Sequence, residues 1–262
     1  MLNKLRQSWL RHPLSCSLDI DSPESTLRSG QIIRNKPFLR RFYQDCYQYI
    51  CDNIPQTDDG LVLEIGSGAG FLKDYIPRLV TTEILNLPTV DIILNAQQLP
   101  LKRNCLRAIA IVDAFHHLPD VRSFLRDASV CLRPGGAIVM VEPWVTCWSY
   151  LVYRVFHHEP LDIKTADWTI PGSGPLSDAN MAIPWIVFKR DRSKFENDFP
   201  EWKVEKIILD YPLTYLASGG LSYRGLLPEC LFGVSRRLEY ISRPLMGFLA
   251  LFAKITLRRT GS

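Results

Sequence analysis

Leu61-Val62-Leu63-Glu64-Ile65 is a short, mostly apolar run that passes without a break into Gly66-Ser67-Gly68-Ala69-Gly70. Such a run, bounded by Gly60 and Gly66, reads as a buried strand. Glycines at alternate positions let the backbone turn sharply and let a bound molecule approach with no Cβ in the way. The next residues, Gly70–Ile76, read as a short helix stopped by Pro77. Strand, glycine loop and helix start place a binding loop at the first strand of a doubly wound sheet. The helix N-terminus would turn free N–H groups toward negative charge.

The rest of the chain agrees with that architecture. Leu79–Glu83, Val90–Leu94, Ala108–Val112 and Ala137–Val141 read as four further strands, and Val121–Leu132 as a helix closed by Arg133-Pro134-Gly135-Gly136. Short apolar strands alternating with helices require a parallel sheet covered on both faces. Only six residues, with Pro88 among them, separate Glu83 from Val90. That is too short for a crossover helix. That face of the site is therefore open or covered from the N-terminal side, where Ser22-Pro23-Glu24-Ser25 starts one helix and Pro37–Ile54 patterns as another. Trp202–Leu209 and Phe252–Arg258 supply two more strands. The expected fold class is α/β, a doubly wound, mostly parallel seven-stranded sheet with helical cap insertions. At 262 residues and 47% hydrophobic content the chain buries a sizeable core. We divide it into an N-terminal arm and helices (1–59), a binding core (60–145), a cap insertion rich in Trp and Pro (146–201) and a C-terminal part of the sheet with a helical insertion (202–262).

The loop spacing separates two cofactors. A dinucleotide fingerprint needs a third glycine where this chain has Phe71, which disfavours an NAD-dependent oxidoreductase. The observed GxGxG, preceded by acidic Glu64, resembles the first motif of class I S-adenosylmethionine-dependent methyltransferases. The similarity is greatest to the methyltransferase type 11 group that includes quinone-biosynthesis enzymes. Further pieces follow in order. Glu83 ends strand two, Asn95-Ala96-Gln97-Gln98-Leu99-Pro100 follows strand three, Asp113-Ala114-Phe115-His116-His117-Leu118 follows strand four, and Leu132-Arg133-Pro134-Gly135-Gly136 leads into strand five. The resemblance spans about residues 60–145. It implies a Rossmann-like methyltransferase fold and S-adenosyl-L-methionine as cofactor. It implies that Glu64, Gly66, Ser67, Gly68 and Gly70 hold the methionine part. Glu83 would accept both ribose hydroxyls, which suits a carboxylate with two acceptor oxygens. Asn95 and Ala96 would flank adenine, with Asn in place of the family's Asp and hence weaker recognition, and Asp113 would lie at the mouth of the sheet.

The acceptor is not written in any motif. His116 and His117 follow strand four, and a neutral imidazole near pH 7 is a competent general base; a packing or hydrogen-bonding role is the other reading. His157-His158, Asp113 and Glu142 are further polar groups within reach of a site. No metal-ligand spacing is present, and the seven cysteines are odd in number with no CxxC pair, which fits reduced thiols in a cytoplasmic protein. Lys4, Arg6 and Arg11 are followed by no apolar core of a signal peptide. Residues 1–42 carry eight Lys/Arg against three Asp/Glu, and residues 231–262 six against one. Basic ends around an acidic body suit peripheral contact with anionic lipid or with polyanions, two solvated basic ends being the other reading. With the aromatic cap they favour a small-molecule or lipid-linked acceptor. No base-handling motif follows strand four, so nucleic acid is not an expected partner. A catalytically degenerate nucleoside-binding scaffold is the competing reading, and oligomeric state stays open.

Overall fold

The computed structural model describes residues 11–15, 19–56, 60–157, 159–172, 174 and 176–261. Lys4, Arg6, Asp58, Asp59 and His158 lie outside the described residues. Seven strands form one sheet in the order β3-β2-β1-β4-β5-β7-β6. They are β1 (Leu61–Ile65), β2 (Leu79–Glu83), β3 (Ile92–Ile93), β4 (Leu106–Val112), β5 (Leu132–Pro143), β6 (Trp202–Asp210) and β7 (Phe252–Arg259). Strands β1 to β5 pair in parallel, while β7 runs antiparallel between β5 and β6.

Alternation along the strands loads both faces. Leu63, Ile65, Ile109, Ile111, Ile138 and Met140 point to one core, and Val62, Ala108, Ala110, Ala137 and Val139 to the other. The second face is lined with small residues because large ones arrive from helix α2 (Pro37–Asn53). Its Phe42, Cys46 and Ile50 are all under 4% exposed. Each large apolar side chain buried this way contributes about 1.5–3 kcal/mol. Helix α1 (Pro23–Asn35) precedes α2 and is capped as its sequence requires, with Ser22 Oγ accepting from the Ser25 backbone N–H. On the first face, α3 (Val121–Cys131) makes the crossover from β4 to β5, and its N–H groups at Arg122 and Ser123 are capped by Asp120.

Two expectations are corrected. Gly70–Ile76 is no α-helix but a single 3-10 turn at Leu72–Asp74; seven residues before Pro77, two of them aromatic, do not nucleate a helix. The strand expected over Val90–Leu94 shortens to Ile92–Ile93, because Pro88 and the tight return from β2 leave it an edge with two exposed residues. The segment 146–201 divides. Helix α4 (Cys147–Phe156) lies beside the site, whereas Ile183–Trp185, the π-helical Ile186–Arg190 and α5 (Arg192–Asp198) bury Ile186, Phe188 and Phe195 in the first core. The helix between β2 and β3 is absent, as the six-residue spacing requires.

Candidate active site

With neither a helix after the glycine loop nor one after β2, the N-terminal helices must close the site. The Phe71 N–H donates to Tyr47 Oη of α2 at 3.2 Å. Helix α1 crosses the loop so closely that a Cβ on Gly30 would lie 2.6 Å from Ala69 Cβ. Gly30→Val should therefore push α1 off the loop and weaken S-adenosylhomocysteine binding about tenfold. Calorimetry would check this, and adding Ala69→Gly to a milder Gly30→Ala variant should restore binding.

Under these helices lies a cavity of about 240 Å³. It is lined by the loop from Glu64 to Gly70, by Glu83, Asn95, Ala96, Asp113 and His117, and by Thr26, Tyr43 and Tyr47 from α1 and α2. Ten of the eleven residues singled out from the sequence thus share one cavity; His116 sits behind it. Gly68 has φ +49, and a Cβ there would meet nothing nearer than 3.7 Å. The loop is a cradle that a side chain would fill. Ser67 ties it to β2, its backbone N–H and Oγ both donating to Thr82 O at 2.9 and 3.1 Å. Glu83 links the strand end to the loop by accepting from Gly68 N–H (2.9 Å) and Ile84 N–H (2.8 Å). Asn95 Oδ1 accepts from Gln97 N–H at 2.9 Å, so it holds its own turn as well as facing the cavity.

Two carboxyls here are less acidic than usual. Burial, reinforced by the Glu83 charge, pushes Glu64 up to about 8. Burial also raises Asp113, to about 7, against the opposing charge of His116 and with help from Glu142 and Glu159. Asp113 has φ +56, a conformation that Asp tolerates better than most residues. Its backbone is pinned by an N–H donated to Val141 O at 2.9 Å. The turn after it is held by Glu142, whose Oε1 accepts from Ala114 and Phe115 N–H, both at 2.9 Å.

His116, read from the sequence either as a base or as a hydrogen-bonding residue, has both ring nitrogens engaged. Its Nδ1 lies 2.8 Å from Glu142 Oε2 and its Nε2 3.2 Å from Glu159 Oε2. Two carboxylates can be met only by two N–H groups, so the ring is an imidazolium with no lone pair. Burial opposes that charge, but the two hydrogen bonds outweigh it and hold the ring well above its usual value. His117 differs. Burial and the adjacent His116 charge push it down to about 4, too weak a base for proton removal near neutrality. Its Nδ1–H donates to Asp178 O at 3.3 Å. His116, His117 and Glu159 bring one ligand atom each within 4.8 Å of one another, and a cation there would have to displace the His116 Nε2 proton.

A second cavity, of about 290 Å³, abuts the first, and Asp113 and Leu221 line both. Its walls are largely apolar and aromatic, with Val152, Tyr153 and Phe156 from α4 and Tyr215, Leu216 and Leu226 from the segment after β6. Lys36, between α1 and α2, anchors one wall by donating to Gly220 O and Tyr223 O at 2.5 and 2.7 Å. Glu159 and His157 form its polar edge. Sequence reasoning missed Tyr43 and Tyr47, although their four-residue spacing on a helix was visible. It also missed Glu159, for which no local signal exists.

Residues 63–140 match a protein family described as "Methyltransferase domain". These residues are a methyltransferase domain. No curated protein matches the chain in sequence. Among solved structures, the methyltransferase domain and its flanking segments are similar to geranyl diphosphate C-methyltransferase from Streptomyces coelicolor A3(2), crystallised with Mg²⁺, geranyl diphosphate and S-adenosyl-L-homocysteine. The TM-score is 0.53 at 12% identity, covering 89% of this chain and 84% of that one. A geranyl diphosphate methyltransferase in complex with S-adenosylmethionine gives 0.51 at 11% identity, covering 89% and 90%. At such identities the likeness is one of fold. The methyltransferase sheet order, with its antiparallel β7, is therefore present in full.

Proposed function

We propose that this protein transfers a methyl group from S-adenosylmethionine, seated in the cavity under the glycine loop, to a small or lipid-linked acceptor in the adjoining cavity. The observation that carries this reading is the junction: one carboxyl, Asp113, faces both cavities. S-adenosylmethionine supplies an electrophilic methyl group on a sulfonium. The chain's residues then have to align, exclude water and manage one proton. Gly66, Gly68 and Gly70 let the backbone approach the cofactor, and Glu83 offers acceptors to a diol. Helices α1 and α2 wall one side of the first cavity and limit its access to water. Asp113 accepts the proton that an acceptor hydroxyl or amine releases; a value of about 7 matches a base working at neutral pH. The His116 imidazolium, clamped by Glu142 and Glu159, fixes the turn that carries Asp113. The apolar lining of the second cavity favours a hydrophobic acceptor body.

Two measurements test this. Calorimetric titration with S-adenosylhomocysteine should give a Kd of about micromolar order, with NAD giving none. Incubation of the protein and methyl-labelled S-adenosylmethionine with a total lipid extract should move label into the organic phase. Binding without transfer to any acceptor would favour the scaffold reading, and absence of binding would overturn the proposal.

A pH effect follows from Glu64. The free carboxyl is mostly protonated below about 8. A cationic ligand entering its cavity favours the ionised form, so binding releases a proton. S-adenosylmethionine affinity should therefore rise as pH increases from about 6 to about 8, by at most about tenfold per unit, and then level off. S-adenosylhomocysteine, lacking the sulfonium charge, should show a shallower rise. Equal slopes for the two ligands would remove Glu64 from this role.

A further inference from the structure

We propose that residues 227–248 form a membrane-docking face that seats this protein on an anionic lipid bilayer, with the mouth of the second cavity opening toward the lipid. The clause about the cavity rests on the reading of that cavity as the acceptor site; the docking face does not. After helix α6 (Thr214–Ser218), the chain forms α7 (Phe232–Ile241) and α8 (Met246–Leu249). Leu227, Leu231, Val234, Leu238, Ile241, Leu245 and Phe248 recur at intervals of four and three residues. Every one is exposed, between 38% and 73%.

That stripe is the apolar side of a helical pattern, which in a globular protein turns inward. Here the inward side of α7 carries Phe232 together with two polar residues. Ser235 and Glu239, one turn apart on α7, are buried. Glu239 Oε1 accepts from the N–H groups of Leu213 (2.9 Å) and Thr214 (2.6 Å), its Oε2 accepts from Thr214 Oγ1 (2.6 Å), and it pairs with Arg236. Ser235 Oγ hydrogen-bonds Thr214 Oγ1 at 2.8 Å. These bonds satisfy the start of α6 and fix the rotation of α7. The apolar stripe is outward because the polar side is committed. Leu151, Val155 and Phe156 on α4 enlarge the exposed apolar surface. Together these side chains make an apolar face of the kind that marks an interaction surface.

Charge selects the partner. Exposed Arg154, Arg224, Arg237 and Arg243 stand around the stripe against a single exposed carboxylate, Glu229. A second copy would bring arginines against arginines. Pro228, Gly233, Pro244 and Gly247 also break the segment into pieces too short for a paired coil. An anionic bilayer needs no register and neutralises the arginines, as for interfacial helices that lie in the headgroup region. Among the described residues no helix is long and apolar enough to cross a membrane, so the contact is peripheral. Phe156 and Leu226 belong to both the exposed face and the wall of the second cavity. A lipid-borne acceptor can thus pass sideways from the bilayer into the cavity.

The test is sedimentation of the full-length protein with vesicles of phosphatidylcholine alone and of phosphatidylcholine mixed with phosphatidylglycerol. The protein should bind the anionic vesicles, more weakly as salt rises. Leu238→Glu/Ile241→Glu/Phe248→Glu should lower binding at least about tenfold, and each of Arg237→Gln and Arg243→Gln about fivefold. All these side chains are exposed, so melting temperature and S-adenosylhomocysteine affinity should stay as in the wild type. No binding by the wild type would overturn the proposal. So would a dimer in sedimentation velocity that the triple variant dissolves, which would assign the face to a second copy. Vesicle binding uses neither cofactor nor acceptor, so its failure is separate from any failure of the methyl-transfer reading.

Discussion

Gly68→Asp should weaken S-adenosylhomocysteine binding more than about a hundredfold, equivalent to about 2.7 kcal/mol, while leaving a folded protein. At φ +49 the backbone is in the left-handed region, where Asp is among the better-tolerated residues, so the strain costs about 1 kcal/mol. Nothing clashes: the nearest atoms to the new Cβ are Thr26 Cγ2 at 3.7 Å and Glu83 Oε2 at 3.9 Å. The new carboxylate instead occupies the cavity and places a second negative charge beside Glu83. Gly68→Ala separates the two effects, since it carries the strain without the charge and should lose far less affinity. Calorimetry on the three proteins, with thermal melts as a folding control, decides it. Wild-type affinity in the Asp variant would mean that the ligand does not lie against this loop.

Asp113→Asn should lower kcat by about a hundredfold to ten-thousandfold with cofactor affinity little changed. Asn is nearly isosteric and equally at home at φ +56, so the turn survives. What disappears is the proton acceptor. In the wild type, kcat/KM should rise with pH through about 7, where Asp113 ionises, and this step should vanish in the variant. His117→Ala should keep it, because a group already neutral above about 4 cannot produce a step there. A wild-type profile in Asp113→Asn would return the search for the base to groups from the acceptor itself. Glu142→Gln provides a positioning control. It removes one of the two anions facing His116, so it should change the midpoint of the step without abolishing it.

The part of the site built from contiguous residues was legible in the chain. Gly66, Gly68 and Gly70 announce themselves because a strand leads into them and glycines at alternate positions leave room for a bound molecule. Glu83 and Asn95 are picked out by the resemblance, which places such residues where an apolar run ends. The six residues between Glu83 and Val90 likewise exclude a crossover helix by length alone, and Ser22 marks a helix start because its oxygen can reach a free N–H two or three residues on. The helix over Gly70–Ile76 failed because seven residues before Pro77 are too few to nucleate one without tertiary support.

Everything that depends on long-range pairing was decided by the tertiary structure. His116 looks like a base in sequence, and becomes a fixed cation because Glu142 and Glu159, 26 and 43 residues away, meet its two nitrogens. Asp113 looks like an ordinary strand-end carboxylate, and becomes a group titrating near neutrality because two cavities and two further carboxylates surround it. The apolar stripe from Leu227 to Phe248 is turned outward because Glu239 and Ser235 find buried partners at the start of α6. Short-range sterics and periodicity are properties of neighbouring residues, so the chain carries them on its face. Protonation states and the side a helix presents depend on which distant groups satisfy its polar atoms, and only the folded arrangement supplies those.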